Sequence, residues 1–88
     1  MDDKSFYYIV GRESCPWCVK AKERLQQFGI PCVFRDLEDN QQLMEQYTEK
    51  YNWNTVPMIF HFDTSTGKHQ FVGGYTDMVE HVDSLEGE

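Results

Sequence analysis

The run Cys15-Pro16-Trp17-Cys18 holds the residues of this chain whose types and spacing point most directly to chemistry. Two thiols three positions apart are neighbours on a helix, so their sulfurs can close and open a disulfide with little backbone movement. Pro16 suits a first helical position, where its missing N–H is no loss. That puts Cys15 at a helix N-terminus, where free N–H groups and the positive dipole end stabilise a thiolate. Arg12 and Lys20 add positive potential nearby. Sites of this kind lower a cysteine pKa from about 8.5 to roughly 3.5–7.5. Cys15 is therefore expected to attack. Cys18 opens an apolar helical stripe and is expected to be the more buried, resolving thiol. Two other readings exist: a zinc half-site, or a pair of inert cysteines. Zinc takes about four ligands, and the remaining candidates Cys32, His61, His69 and His81 form no second paired cluster.

The elements that must position this pair can be read from periodicity. Ser5 to Gly11 is a predicted strand, because Phe6-Tyr7-Tyr8-Ile9-Val10 is a continuous apolar run, as in a strand covered on both faces. The loop Arg12–Ser14 leads to a helix from about Cys15, with Cys18, Ala21, Leu25 and Phe28 as its apolar stripe. Gly29 ends that helix and Pro31 prevents its return. Cys32 to Arg35 is a second strand, and Asp36 to Gln41 a polar connection. Leu43, Met44, Tyr47 and Tyr51 make the stripe of a second helix, closed by Asn52 to Asn54. Pro57 to Phe62 and His69 to Val72 are two further strands, joined by a turn over Asp63-Thr64-Ser65-Thr66-Gly67. His61 and His69 lie on its two arms and are placed to approach each other. Gly73-Gly74 is a second turn. Thr76 or Asp77 is expected to cap a last helix, with Met78, Val79, Val82 and Leu85 on its buried side.

The order is β-α-β-α-β-β-α. A helix crosses between the first two strands, so they pair in parallel; the last two can form an antiparallel hairpin. The predicted fold is α/β and thioredoxin-like, a four-stranded mixed sheet flanked by three helices, in a single domain over residues 1–88.

Composition narrows the partners. The net charge is −7, and it is uneven: residues 1–35 carry six Lys or Arg against four Asp or Glu, and residues 36–88 two against eleven. An acidic chain repels phosphate backbones and anionic lipids, so neither nucleic acid nor a membrane is an expected partner. A locally basic start on an acidic body suits a site that handles an anion. Three cysteines are an odd count for a disulfide framework. Met1-Asp2-Asp3-Lys4 lacks the basic start and apolar core of a signal peptide, and the longest apolar run is too short to span a bilayer. The expected compartment is a reducing cytoplasm.

The stretch from Gly11 through Cys15-Pro16-Trp17-Cys18 to Lys22 resembles the active site of dithiol glutaredoxins, above all the short bacterial kind. The family usually has tyrosine where this chain has Trp17. Thr55-Val56-Pro57 resembles the family's cis-proline loop, and Gly73-Gly74-Tyr75-Thr76-Asp77 the turn that opens its last helix. Thioredoxins typically carry Trp-Cys-Gly-Pro-Cys instead and lack that turn.

The resemblance implies a glutathione-dependent thiol–disulfide oxidoreductase with Cys15 and Cys18 as its redox pair and glutathione as its reducing co-substrate. It implies that the Val56 backbone, beside Pro57 and Thr55, pairs with the cysteinyl part of glutathione as an added strand would. Gly74, Thr76 and Asp77 would meet the γ-glutamyl end, and Trp17 would form part of the rim. Arg12, Lys20 or Asn54 would receive the glycine carboxylate. Partners would be disulfide-containing or glutathionylated proteins, with ribonucleotide reductase a candidate client, and the protein a monomer without metal. The alternative is an iron–sulfur cluster held between two subunits through Cys15 and glutathione; Pro16 stiffens the loop against it.

Overall fold

The computed structural model describes residues 5–86, with side chains described over 5–84. Its elements are β1 (Ser5–Gly11), α1 (Pro16–Gln27), β2 (Cys32–Asp36), α2 (Gln41–Tyr51), β3 (Met58–Asp63), β4 (Lys68–Gly73) and α3 (Tyr75–Glu86). They build one mixed sheet in the order β2-β1-β3-β4, with β1 and β2 parallel and the other pairs antiparallel. The expected thioredoxin-like fold is present. Among the described residues no helix is long and apolar enough to cross a membrane.

The continuous apolar run of β1 follows from its place inside the sheet. Successive side chains point to opposite faces. Tyr7 and Ile9 enter a core with Ala21 and Leu25 of α1, Ile59 of β3, and Met78 and Val82 of α3. Val10 enters a second core with Leu37, Met44 of α2, Met58 and Phe60. Both faces are covered, so neither set could be polar. Ile9, Leu25 and Met78 are fully buried; truncating such a side chain to alanine costs about 2–5 kcal/mol.

Several expectations need correction. Phe28 is 51% exposed rather than on the buried stripe. α1 has already ended at Gln27, so helical spacing no longer aims this ring, and the Arg24 guanidinium lies over it at 5.2 Å. The connection before α2 is not wholly polar: Leu37 is 1% exposed and fills the second core, and Asp36 still belongs to β2. Neither Thr76 nor Asp77 is the N-cap residue of α3; Asp77 does cap the helix, but from its third position. The helix starts at Tyr75, and the Gly74 carbonyl accepts its first helical bond, from Met78 N–H at 2.9 Å. His61 and His69 do not approach each other, because His61 pairs across the hairpin with Gln70 and His69 with Phe62. Adjacent positions on a strand face opposite ways, so His69 stacks on Phe62 while His61 meets Tyr7 and His81. The side chain of Leu85 lies outside the described residues.

The termini of the elements carry local explanations. Gly29 takes φ +68° directly after α1, a left-handed conformation that glycine adopts freely. Asn40 caps α2 by accepting the Leu43 N–H at 3.1 Å. In the β3–β4 turn, Asp63 accepts from the Ser65 N–H and hydroxyl at 3.1 and 2.7 Å.

Candidate active site

β1 ends at Gly11 and delivers the chain to Cys15, whose N–H donates to the Arg12 carbonyl at 3.1 Å. Cys15 has extended backbone (φ −93°, ψ 116°) and is the N-cap of α1, with Pro16 the first helical residue. Its sulfur accepts the Cys18 N–H at 3.3 Å, and its carbonyl accepts from Cys18 and Val19 at 3.1 Å each. The first turn of α1 contains no acidic residue. The thiol, half-buried, donates towards the Val56 carbonyl at 3.9 Å.

Cys18 lies one turn along and is wholly buried. Burial, then the hydrogen bond with Cys15, pushes its thiol up to about 12. It therefore stays protonated near neutral pH. The same burial explains Gly11. A methyl group there would overlap the Cys18 sulfur, so only glycine lets β1 and α1 approach this closely. Cys32 is half-buried against the first core, and burial raises its pKa as well. All three cysteines are free thiols. Among the described residues, no three His, Cys, Asp or Glu side chains gather into a group able to hold a metal ion.

Beside the pair lies an open groove of about 430 Å³. Thr55, Val56 and Pro57 form one stretch of its lining, across a cis Val56–Pro57 peptide bond. Gly74, Thr76 and Asp77 line it from the start of α3, and Trp17 from α1. Residues far apart in the chain thus share one concavity with the cysteine pair at its edge. Asp77 Oδ2 accepts the Gly74 N–H at 3.0 Å, as a third-position acid does in a capping box. Gly73 has φ +128°, and a methyl there would also strike Asp77.

Arg12, Lys20 and Asn54 stand apart from this lining. Arg12 lies on the cysteine side, where its charge acts on Cys18, and its Nε is buried without a partner. Lys20 holds its ammonium 4.8 Å above the Trp17 ring. Asn54 is exposed.

Comparison with known proteins decides the lineage. The family model described as Glutaredoxin matches residues 6–64. The chain belongs to the glutaredoxin family. Glutaredoxin-1 of Rhizophagus irregularis is 29% identical over 79 residues, covering 86% of this chain and 72% of that protein. Reduced Escherichia coli glutaredoxin has a TM-score of 0.66 at 29% identity, over 93% of this chain and 98% of that one. The dithiolic glutaredoxin of Trypanosoma brucei brucei shares the fold, with a TM-score of 0.66 at 24% identity, over 92% of this chain and 78% of that one. Family and fold together make this glutaredoxin a thiol–disulfide oxidoreductase with a cysteine pair.

Two lining residues of this glutaredoxin escaped the sequence reading. Trp53 and Tyr75 both border the groove. Tyr75 carries the Trp17 ring on it, centroids 5.3 Å apart. Trp53 stands two residues before Thr55-Val56-Pro57, and Tyr75 lies within the Gly73-to-Asp77 turn motif without having been given a site role. That closeness to the motifs was the available signal.

Proposed function

We propose that this glutaredoxin is a glutathione-dependent reductase of glutathionylated and disulfide-bonded proteins. The observation that carries the proposal is the meeting of Thr55, Val56, Pro57, Gly74, Thr76 and Asp77 in one groove at the edge of the Cys15–Cys18 pair. In this reading Cys15, at the α1 N-terminus, is the nucleophile. Its thiolate attacks the glutathionyl sulfur of a mixed disulfide, and a new Cys15–glutathione bond forms. The protein thiolate leaves and takes a proton from solvent. A second glutathione, as its thiolate, then attacks the glutathionyl sulfur, releasing oxidised glutathione and restoring the Cys15 thiolate. The Cys18 N–H and the helix end stabilise that leaving sulfur.

With a protein disulfide, Cys15 forms a mixed disulfide that Cys18 resolves. Two glutathiones then reduce the Cys15–Cys18 bond. Cys18 must lose its proton to act, and its raised pKa makes it a poor free nucleophile until that step. The Val56 backbone holds the cysteinyl part of the tripeptide. Gly74, Thr76 and Asp77 receive the γ-glutamyl head, and Arg12 is retained for the glycine carboxylate. Ribonucleotide reductase is a candidate client by resemblance. We further propose a single-domain monomer working in the cytoplasm, where three free thiols persist.

Trapping tests the reading. The Cys18→Ser variant, incubated with oxidised glutathione and digested, is expected to carry one glutathione on the Cys15 peptide by mass spectrometry. Coupled to glutathione reductase, the wild type is expected to reduce a small glutathione mixed disulfide. Adduct absent from Cys15 and no glutathione-dependent turnover would together overturn the assignment.

A further inference from the structure

Trp53 belongs to none of the motifs that carry the resemblance, yet it borders the groove. It stands between the end of α2 and Thr55, half-buried. Phe71 of β4 holds its ring edge-on, with centroids 5.2 Å apart and planes at 77°. Its six-membered ring reaches the start of α3: a methyl on Gly74 would stand 3.6 Å from Trp53 Cζ2. Cζ2 is bonded to Cε2, which also carries Nε1, so the edge bearing the N–H is the edge nearest Gly74. That Nε1 is buried and has no hydrogen-bond partner. Trp53 thus marks the α3 end of the groove, as Val56 marks the Cys15 end.

We infer that Trp53 is a specificity residue, its indole packing on the γ-glutamyl arm of a glutathionyl group and so favouring glutathione mixed disulfides over those of simple cysteine. The inference rests on the glutathione reading above. The γ-glutamyl arm is two methylenes ending in a charged amino-acid head. The head suits the N–H groups of the α3 N-terminus and the Asp77 carboxylate. The methylenes need an apolar wall, which no backbone group supplies. Trp17, tilted against Tyr75, gives one such wall. Trp53 gives another, already fixed by Phe71 and therefore ordered before the ligand arrives. Cysteine alone has no such arm and gains nothing from the indole.

The test is a single-turnover comparison. Reduced enzyme is mixed with one peptide carrying either a glutathionyl or a cysteinyl disulfide, and release of the peptide thiol is timed. Wild type is expected to prefer the glutathionyl form. Trp53→Ala is expected to lower that preference roughly tenfold, the scale of a lost apolar contact in a specificity pocket. Trp53→Phe keeps the packing on Phe71 and is expected to lower it about threefold; it decides the matter if the alanine variant does not fold. An unchanged preference in the variants, with wild type selective, overturns the role of Trp53 alone. A wild type without preference overturns the glutathione reading beneath it.

Discussion

Two helix N-termini flank the groove, and they are furnished in opposite ways. α1 starts on Cys15, has no acid in its first turn, and points the Cys18 N–H at a sulfur. α3 follows Gly74 as its N-cap, and Asp77 in its first turn folds a carboxylate back onto the Gly74 N–H. Both ends carry the same partial positive charge. At α3 the fold itself supplies the compensating carboxylate. In the proposed mechanism, the compensation at α1 is left to Cys15, whose charge changes during thiol–disulfide exchange. On that proposal one backbone device serves as a structural cap at one end of the groove and as chemistry at the other.

The largest expected effect breaks the comparison at α1. Cys15→Ser keeps an N-cap side chain able to accept the Cys18 N–H, since serine caps well. It removes the sulfur, and glutathione-dependent turnover of a mixed disulfide is expected to fall by roughly a thousandfold or more. Cys18→Ser is expected to keep most of that turnover while losing the reduction of protein disulfides. Comparable losses in both variants, assayed side by side, would show that the two thiols are not divided as their burial implies.

Acid bears on how α3 is held. Tyr7 Oη lies 2.7 Å from His81 Nδ1, Gln70 Nε2 lies 3.5 Å from His81 Nε2, and the His61 and His81 rings are 5.0 Å apart. Burial lowers the pKa of both histidines below 6.5; Asp63 partly offsets this at His61, and the His61 charge adds to it at His81. Protons bind the unfolded chain first. Stability is therefore fully present above the unfolded value and is lost as pH falls through the lower folded values. Urea unfolding is expected to show a lower midpoint near about pH 5 than near about pH 7, with a flatter dependence in His81→Gln. Equal midpoints across that window in the wild type would remove the histidines from the account of α3.

Asp77 sharpens the comparison from the other side. Asp77→Ala removes the fixed carboxylate from the α3 N-terminus and leaves the Gly74 N–H to solvent. The expected loss is about 1 kcal/mol of folding stability, read from urea midpoints. An unchanged midpoint would mean that the α3 end needs no compensation, and the contrast with α1 would lose its meaning.

The parts of this arrangement differ in how far the sequence exposes them. The strands and the first helix are legible because their apolar patterns are long: Phe6 to Val10 for β1, and Cys18, Ala21 and Leu25 for α1. The cysteine pair, Pro57 and the glycine turn are legible because their backbone demands are local. Leu37 was not, since a single apolar residue in a polar connection has no period to reveal its burial. The start of α3 was misplaced because the polar side chain that caps it sits in the third helical position rather than at the N-cap. Trp53 and the His61–His81 pair depend on which strands become neighbours, and no local pattern states that β4 will bring Phe71 under Trp53.

The smallest expected effect tests the electrostatic half of the comparison directly. Ser14 is exposed and immediately precedes Cys15, so Ser14→Asp gives α1 the kind of fixed carboxylate that α3 already has, without disturbing the core. A carboxylate at a helix N-terminus stabilises by about 0.3–1 kcal/mol at an exposed site. The same field that welcomes this charge then favours a second negative charge on the sulfur less. Alkylation of Cys15 by iodoacetamide near neutral pH, followed by peptide mass spectrometry, is expected to slow by roughly two- to fivefold. Ser14→Asn, which matches its shape without the charge, is expected to leave the rate near wild type. Slowing by both variants would point to crowding around the thiol. No slowing by Ser14→Asp would mean that the reactivity of Cys15 comes from its contact with the Cys18 N–H alone, and not from an uncompensated helix end.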